Sequence, residues 1–174
     1  MIGAVVLAAG AASRFGSPKQ QLLLPEVLAA VRSSSVDEVV VVAGAYPIEV
    51  DATVVECPGW ERGPGASLRC GLEALPREAE AAVIVLADGP DLHPASIDRV
   101  VESWRAGAGD VVAASYDGNR GHPVLLARAA WPLVPDEGAR ALNPVLVACD
   151  DLGSPGDVDF ADDVPGRLRE DRSE

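Results

Sequence analysis

Three apolar runs constrain this chain more than any other feature: Ile2–Leu7, Val39–Gly44 and Ala82–Ala87. Each is continuously apolar and rich in β-branched residues instead of alternating with polar ones. A strand of that kind is covered on both faces, which is the situation of a parallel sheet between two helical layers. The runs are strand-sized, too short to cross a bilayer as helices. Helical periodicity fills the gaps between them. Val27, Leu28 and Val31 share a face and predict a helix from about Pro25 to Ser33, with proline in the first turn. Leu68, Leu72 and Leu75 predict a second helix, with Ser67 placed to cap it. Ile97, Val100, Val101 and Trp104 form one stripe of a third, from Pro94 to Arg105. Further strands are expected at Thr53–Glu56, Val111–Ser115 and Val145–Ala148. Asn119–Arg128 reads as a turn entering another strand, and short helices are expected near Arg128–Leu133 and Glu137–Leu142. Strands alternating with helices give an α/β chain: a three-layer, Rossmann-like, mainly parallel sheet with its ligand at the carboxyl ends of the strands. With neither repeat nor linker visible, residues 1–165 read as a single domain and 166–174 as an acidic tail.

The first run leads into VVLAAGAASRFGSPK, Val5 to Lys19. Small residues and Gly10 directly after a buried strand let backbone N–H groups approach an anion, because no bulky side chain intervenes. Arg14 and Lys19 bring two cations to the same loop, and phosphate is the anion such loops hold. The pattern is neither the Walker phosphate loop nor the dinucleotide fingerprint. Lys19 is also the only lysine in the chain.

Composition bounds the partners. A formal net charge of −13 argues against nucleic acid or an anionic membrane surface. It does not exclude a nucleotide, since beyond a Debye length of about 8 Å the global field is largely screened. Local cations, backbone N–H groups and a divalent ion then decide binding. The N-terminus has no basic n-region, which predicts no signal peptide and a cytoplasmic protein. Cys57, Cys70 and Cys149 are scattered and odd in number. They read as buried hydrophobes in a reducing compartment, neither a disulfide nor a zinc site.

Several segments, taken together, resemble one family. Leu7–Lys19 fits L-A-A-G-x-x-S-R-F-G-x-x-K, the signature of nucleotidyltransferases with the GT-A-type fold. More narrowly, it is similar to the MobA/MocA-like branch that attaches GMP or CMP to molybdopterin. Gly63–Leu72 resembles that branch's G-x-x-x-S-L-x-x-G-L segment. Leu86–Pro90 stands where the branch has a metal-binding D-x-P. Tyr116–Leu126 resembles G-x-R-G-H-P-V-L-F, and Asp136–Arg140 is similar to G-D-x-G-A-R.

The resemblance implies transfer of CMP, or GMP, from the triphosphate (CTP or GTP) to molybdopterin with release of pyrophosphate. It implies that Leu7, Ala8, Ala9 and Gly10 lie against base and ribose, with Ser67 contacting the nucleoside. Arg14 and Lys19 would hold the β- and γ-phosphates, and Asp88 would hold Mg²⁺ and, with Arg14 and Lys19, carry the chemistry. Asp159 would complete the metal site, and Arg120 and His122 would face the acceptor. A molybdenum hydroxylase would be the protein partner. The chain departs from the family in three places: a shortened segment after Lys19, Gly89 inside D-x-P, and Asp159–Asp163 in place of Asp-Thr-Pro-Glu-Asp. Those departures motivate one rival, a catalytically degenerate molybdenum-cofactor-binding protein or chaperone. An enzyme-class alternative is the same chemistry on a sugar or alditol phosphate, against which the shortness of the chain counts.

Overall fold

The computed structural model describes residues 1–10 and 19–156, with Lys19 and Gln20 described by their backbone only. Seven strands form one sheet: β1 (Ile2–Ala8), β2 (Glu38–Ala43), β3 (Thr53–Glu56), β4 (Ala81–Leu86), β5 (Val111–Tyr116), β6 (Asn119–Ala127) and β7 (Val145–Ala148). The three helices are α1 (Lys19–Arg32), α2 (Pro64–Ala74) and α3 (Pro94–Arg105). Strand order is β3-β2-β1-β4-β6-β5-β7. β3, β2, β1 and β4 pair in parallel. β6 pairs antiparallel to both β4 and β5, and β7 returns parallel to β5. The mainly parallel three-layer α/β architecture expected from the apolar runs is the one observed.

The layers follow from side-chain alternation. Along β1, Ala4, Val6 and Ala8 point into one core with α1 and α3, whereas Val5 and Ala9 point into the other with α2. α2 sits unusually close to the sheet, because a Cβ at Gly71 would stand 2.4 Å from Val5 Cγ1 and 2.9 Å from Val42 Cγ2. Among the described residues, no helix is long and apolar enough to cross a membrane.

Four local expectations need correction. α1 begins at Lys19, not Pro25, and carries Pro25 in its interior. Leu23, Leu24, Val27, Leu28 and Val31 are all buried and form one continuous stripe past it, with Pro25 on the exposed side. Burial of that stripe outweighs the hydrogen bond proline removes. α2 begins at Pro64 with Gly63 as its N-cap, so Ser67 lies inside the helix, only 4% exposed, and does not cap it. The segments expected as short helices near residues 128–133 and 137–142 are 3-10 turns, Arg128–Leu133 and Ala139–Ala141. Finally, Cys57 and Cys70 form a disulfide, with Cα atoms 6.0 Å apart. α2 packs back over β3, which brings two residues 13 positions apart to bridging distance. Cys149 does match its expectation: it is free and buried, and burial pushes its thiol pKa up.

Candidate active site at the carboxyl edge of the sheet

β1 and β4 are parallel neighbours in register, Leu7 opposite Leu86, so the residues that follow each strand emerge side by side. The Leu7–Gly10 backbone is held from both flanks. Ala87 N–H donates to the Leu7 carbonyl at 3.0 Å, and Ala45 N–H, just beyond β2, donates to the Ala9 carbonyl at 3.2 Å. Asp88 follows β4 at the same edge, with its Oδ1 buried. The turn carrying it closes through Gly89 N–H to the Leu86 carbonyl at 3.3 Å. Segment 153–156 packs directly on this turn. Asp91 N–H donates to the Pro155 carbonyl at 3.0 Å, and a Cβ at Gly89 would stand 3.0 Å from Pro155 Cβ. The glycine that departs from the family's D-x-P therefore makes room for this neighbouring segment.

Two cavities of about 300 Å³ each meet at Leu86, Gly121 and His122. One lies on the α2 side. Its floor is Leu7, Ile84 and Val124; Pro64 and Leu68 of α2 form one wall, and Glu137–Arg140 form another. The second lies on the opposite face, between Val85, Leu92 and the 154–156 segment. Because β6 is antiparallel to β4, its opening residues Arg120–His122 arrive at the carboxyl edge between the two cavities.

His122 keeps some surface in both cavities, yet the protein packed around it and the Arg120 charge push its pKa down to about 4. It is a neutral imidazole at pH 7. Arg120, expected to face the acceptor, lines the α2-side cavity and donates to the carbonyls of Ala139 (2.5 Å), Arg140 (3.1 Å) and Leu142 (2.7 Å). It therefore clamps the loop that forms the cavity wall. On that loop Arg140 is exposed and lines the cavity.

The same wall is fixed from α2. Gly65 N–H donates to the Asp136 carbonyl at 2.9 Å, an approach that only glycine permits, since a Cβ would stand 1.6 Å from the Pro135 carbonyl oxygen. Arg69 donates to the Val134 carbonyl at 2.9 Å and pairs with the Asp136 carboxylate, which holds that carboxyl below its usual range. Sequence reasoning missed Arg69 and Gly65 as wall-builders. Both lie in the matched Gly63–Leu72 segment, but their partners are some 65 residues away along the chain.

The structure thus brings Leu7, Ala8, Ala9, Gly10, Asp88, Arg120 and His122 to one edge of the sheet. Ser67 is buried in the helix between Pro64 and Leu68, which line the cavity. Arg14, Asp159 and the Lys19 side chain lie outside the described residues; the Lys19 backbone opens α1. Among the described residues, no group of three or more His, Cys, Asp or Glu could hold a metal by itself. One buried-edge carboxylate nevertheless suits Mg²⁺, a hard ion that takes one or two carboxylates and completes its shell with phosphate oxygens and water.

Residues 4–147 match the MobA-like NTP transferase domain, and this chain belongs to that family. It is similar to Rv0371c from Mycobacterium tuberculosis H37Rv, at 27% identity and a TM-score of 0.75, with 97% of each chain covered. A structure of Rv0371C in complex with manganese is 26% identical with a TM-score of 0.69, over 97% of this chain and 98% of that one. A curated relative, the bifunctional protein GlmU of Rubrobacter xylanophilus, is 31% identical over 123 residues, or 63% of this chain. The chain spans only about a quarter of that relative, 26%.

Proposed function

We propose that this chain is a Mg²⁺-dependent nucleotidyltransferase that transfers CMP, or GMP, from the triphosphate to molybdopterin and releases pyrophosphate. The observation that carries the reading is the adjacency of the Leu7–Gly10 backbone and Asp88 at the ends of two paired parallel strands. It is supported by the match to the MobA-like domain over residues 4–147.

In this reading the triphosphate lies along the Leu7–Gly10 backbone, with Ser67 on the nucleoside side. Arg14 and Lys19 neutralise the β- and γ-phosphates and the departing pyrophosphate. Asp88, joined by Asp159, would hold the metal, which would supply stabilisation of the charge that develops on the transferring phosphoryl group. The manganese in the Rv0371C complex supports a divalent ion for this fold. The nucleophile is an acceptor phosphate oxygen that is already ionised, so no general base is needed and a neutral His122 is compatible with the chemistry. The exposed Arg140 guanidinium supplies a cation for the acceptor's phosphate, held in place by Arg120. The protein partner receiving the product is a molybdenum hydroxylase, and the reaction is cytoplasmic.

Lys19→Ala and Asp88→Ala should each abolish pyrophosphate release from CTP or GTP in the presence of molybdopterin and Mg²⁺. Full activity in either variant would overturn the proposal. Tight molybdopterin binding without turnover of any triphosphate would identify a cofactor-holding protein instead. Turnover with a sugar or alditol phosphate alone would move the acceptor class.

A further inference from the structure

The Cys57–Cys70 disulfide has a place in the site's architecture that a simple surface staple would not have. Cys57 follows β3 and is 2% exposed, whereas Cys70 sits midway along α2 and is only half-buried. The bond ties α2 to the β3 edge of the sheet. α2 in turn carries Gly65 and Arg69, which hold residues 134–136, and Pro64 and Leu68, which line the cavity. One covalent link thus fixes the helix that forms one wall of the cavity and supports the wall opposite.

We propose that Cys57–Cys70 is a reversible thiol–disulfide switch whose oxidised form sets α2 for triphosphate binding, the ligand assigned above; the affinity part of the proposal rests on that assignment. The reductant is a dithiol. Its thiolate attacks Sγ of Cys70, the less buried of the two cysteines, the S–S bond breaks, and the electron pair leaves with Cys57 Sγ, which takes up a proton. The second thiol of the reductant then attacks the mixed disulfide and releases Cys70 as a thiolate, which is also protonated. Two electrons and two protons pass from the dithiol to the cysteines, and the reductant departs as its own disulfide. The third cysteine does not compete, because Cys149 is fully buried in the opposite core layer.

The test uses the full chain, purified without reductant and then equilibrated with excess dithiothreitol or left oxidised. Thiol counting should find one free thiol before reduction and three after; three before reduction would overturn the proposal. CTP and GTP affinities, measured with Mg²⁺, should weaken on reduction by at least about fivefold, the low end of ordinary coupling between sites. Affinities equal within error, with the bond confirmed, would leave only a structural staple and overturn the switch. Cys57→Ser/Cys70→Ser should match the reduced protein and ignore dithiothreitol, while Cys149→Ser should still respond. Hydrogen exchange provides a readout that needs no nucleotide: the Gly65 and Gly138 amides should exchange faster after reduction. Unchanged exchange would overturn the proposal. Faster exchange with no triphosphate bound in either state would overturn instead the nucleotide assignment.

Discussion

The Arg120 guanidinium donates to the Leu142 carbonyl at 2.7 Å, across a gap of 22 residues. With its bonds to Ala139 and Arg140, it pins the 3-10 turn that walls the cavity. Arg120→Ala should cost about 2–3 kcal/mol, close to the loss of one charge-assisted hydrogen bond, because the freed carbonyls near the surface regain water. For a chain of this size that lowers the melting temperature by roughly 4–12 °C. Arg120→Lys should restore less than half of the loss, since an ammonium lacks the planar fork that spans several carbonyls at once. Equal melting of the alanine variant and the wild type would contradict the clamp.

His122 should stay neutral well below the ordinary histidine range. Its folded pKa, about 4, lies below the ordinary histidine value of 6.5. The unfolded chain therefore binds the proton first as pH falls. The stability His122 contributes is complete above about pH 6.5 and is lost as pH falls through about 4. The chain has two histidines, so an NMR titration resolves both. A His122 midpoint near 6.5 in the folded protein would refute the assignment.

Gly65→Ala should be among the most damaging single substitutions in the chain. The added Cβ would meet the Pro135 carbonyl oxygen at 1.6 Å, and both partners are backbone. Relief requires α2 and the 134–138 segment to part, at a cost of about 3 kcal/mol, the upper end of overpacking. Thermal unfolding and the nucleotide-induced melting shift should both fall. A fully stable variant would place this helix start elsewhere.

Arg99 and Asp151 give the opposite case. Their bidentate pair joins α3 to the 3-10 turn Asp150–Leu152 at 2.7 and 2.8 Å, but at the surface. The Arg99 hydrogen bond, chief among the causes, pushes the Asp151 carboxyl down to about 2. Its contribution is therefore present above about pH 4 and lost as pH falls through about 2. Asp151→Asn should lower melting only slightly at pH 7, by a difference that is constant down to about pH 4. Below about pH 2 the two proteins should melt together. A difference that grew on acidification would reverse the assignment.

The sheet was legible because β1, β2 and β4 are apolar on both faces, a pattern few other folds require. The edge strand Thr53–Glu56 and the helix Pro94–Arg105 followed from short-range pattern alone. What the sequence hid were events decided by tertiary packing. Pro25 read as a helix start, but Leu23 and Leu24 extend the buried stripe past it. Ser67 had a capping residue's chemistry, yet Pro64 had already started the helix. The disulfide required knowing that α2 folds back onto β3. Of the site, Leu7, Asp88 and His122 could be placed at one sheet edge by motif order. The clamp made by Arg120 was not legible, because its carbonyl partners belong to a loop with no pattern of its own.

β6 alone runs against the other strands, and this has a consequence for how such a site can diversify. The reversal puts the β5–β6 turn, Asp117–Gly118, at the same edge of the sheet as the two cavities. Both residues have positive φ, 52° and 77°, and a Cβ at Gly118 would meet nothing within 4 Å. In an all-parallel sheet, a new loop at this edge has to be accommodated within a crossover connection. Here a hairpin tip can lengthen into open solvent, leaving every strand register intact while reaching over the cavity mouth. The surroundings of this edge can thus change through one turn, independently of the core that keeps the chain folded.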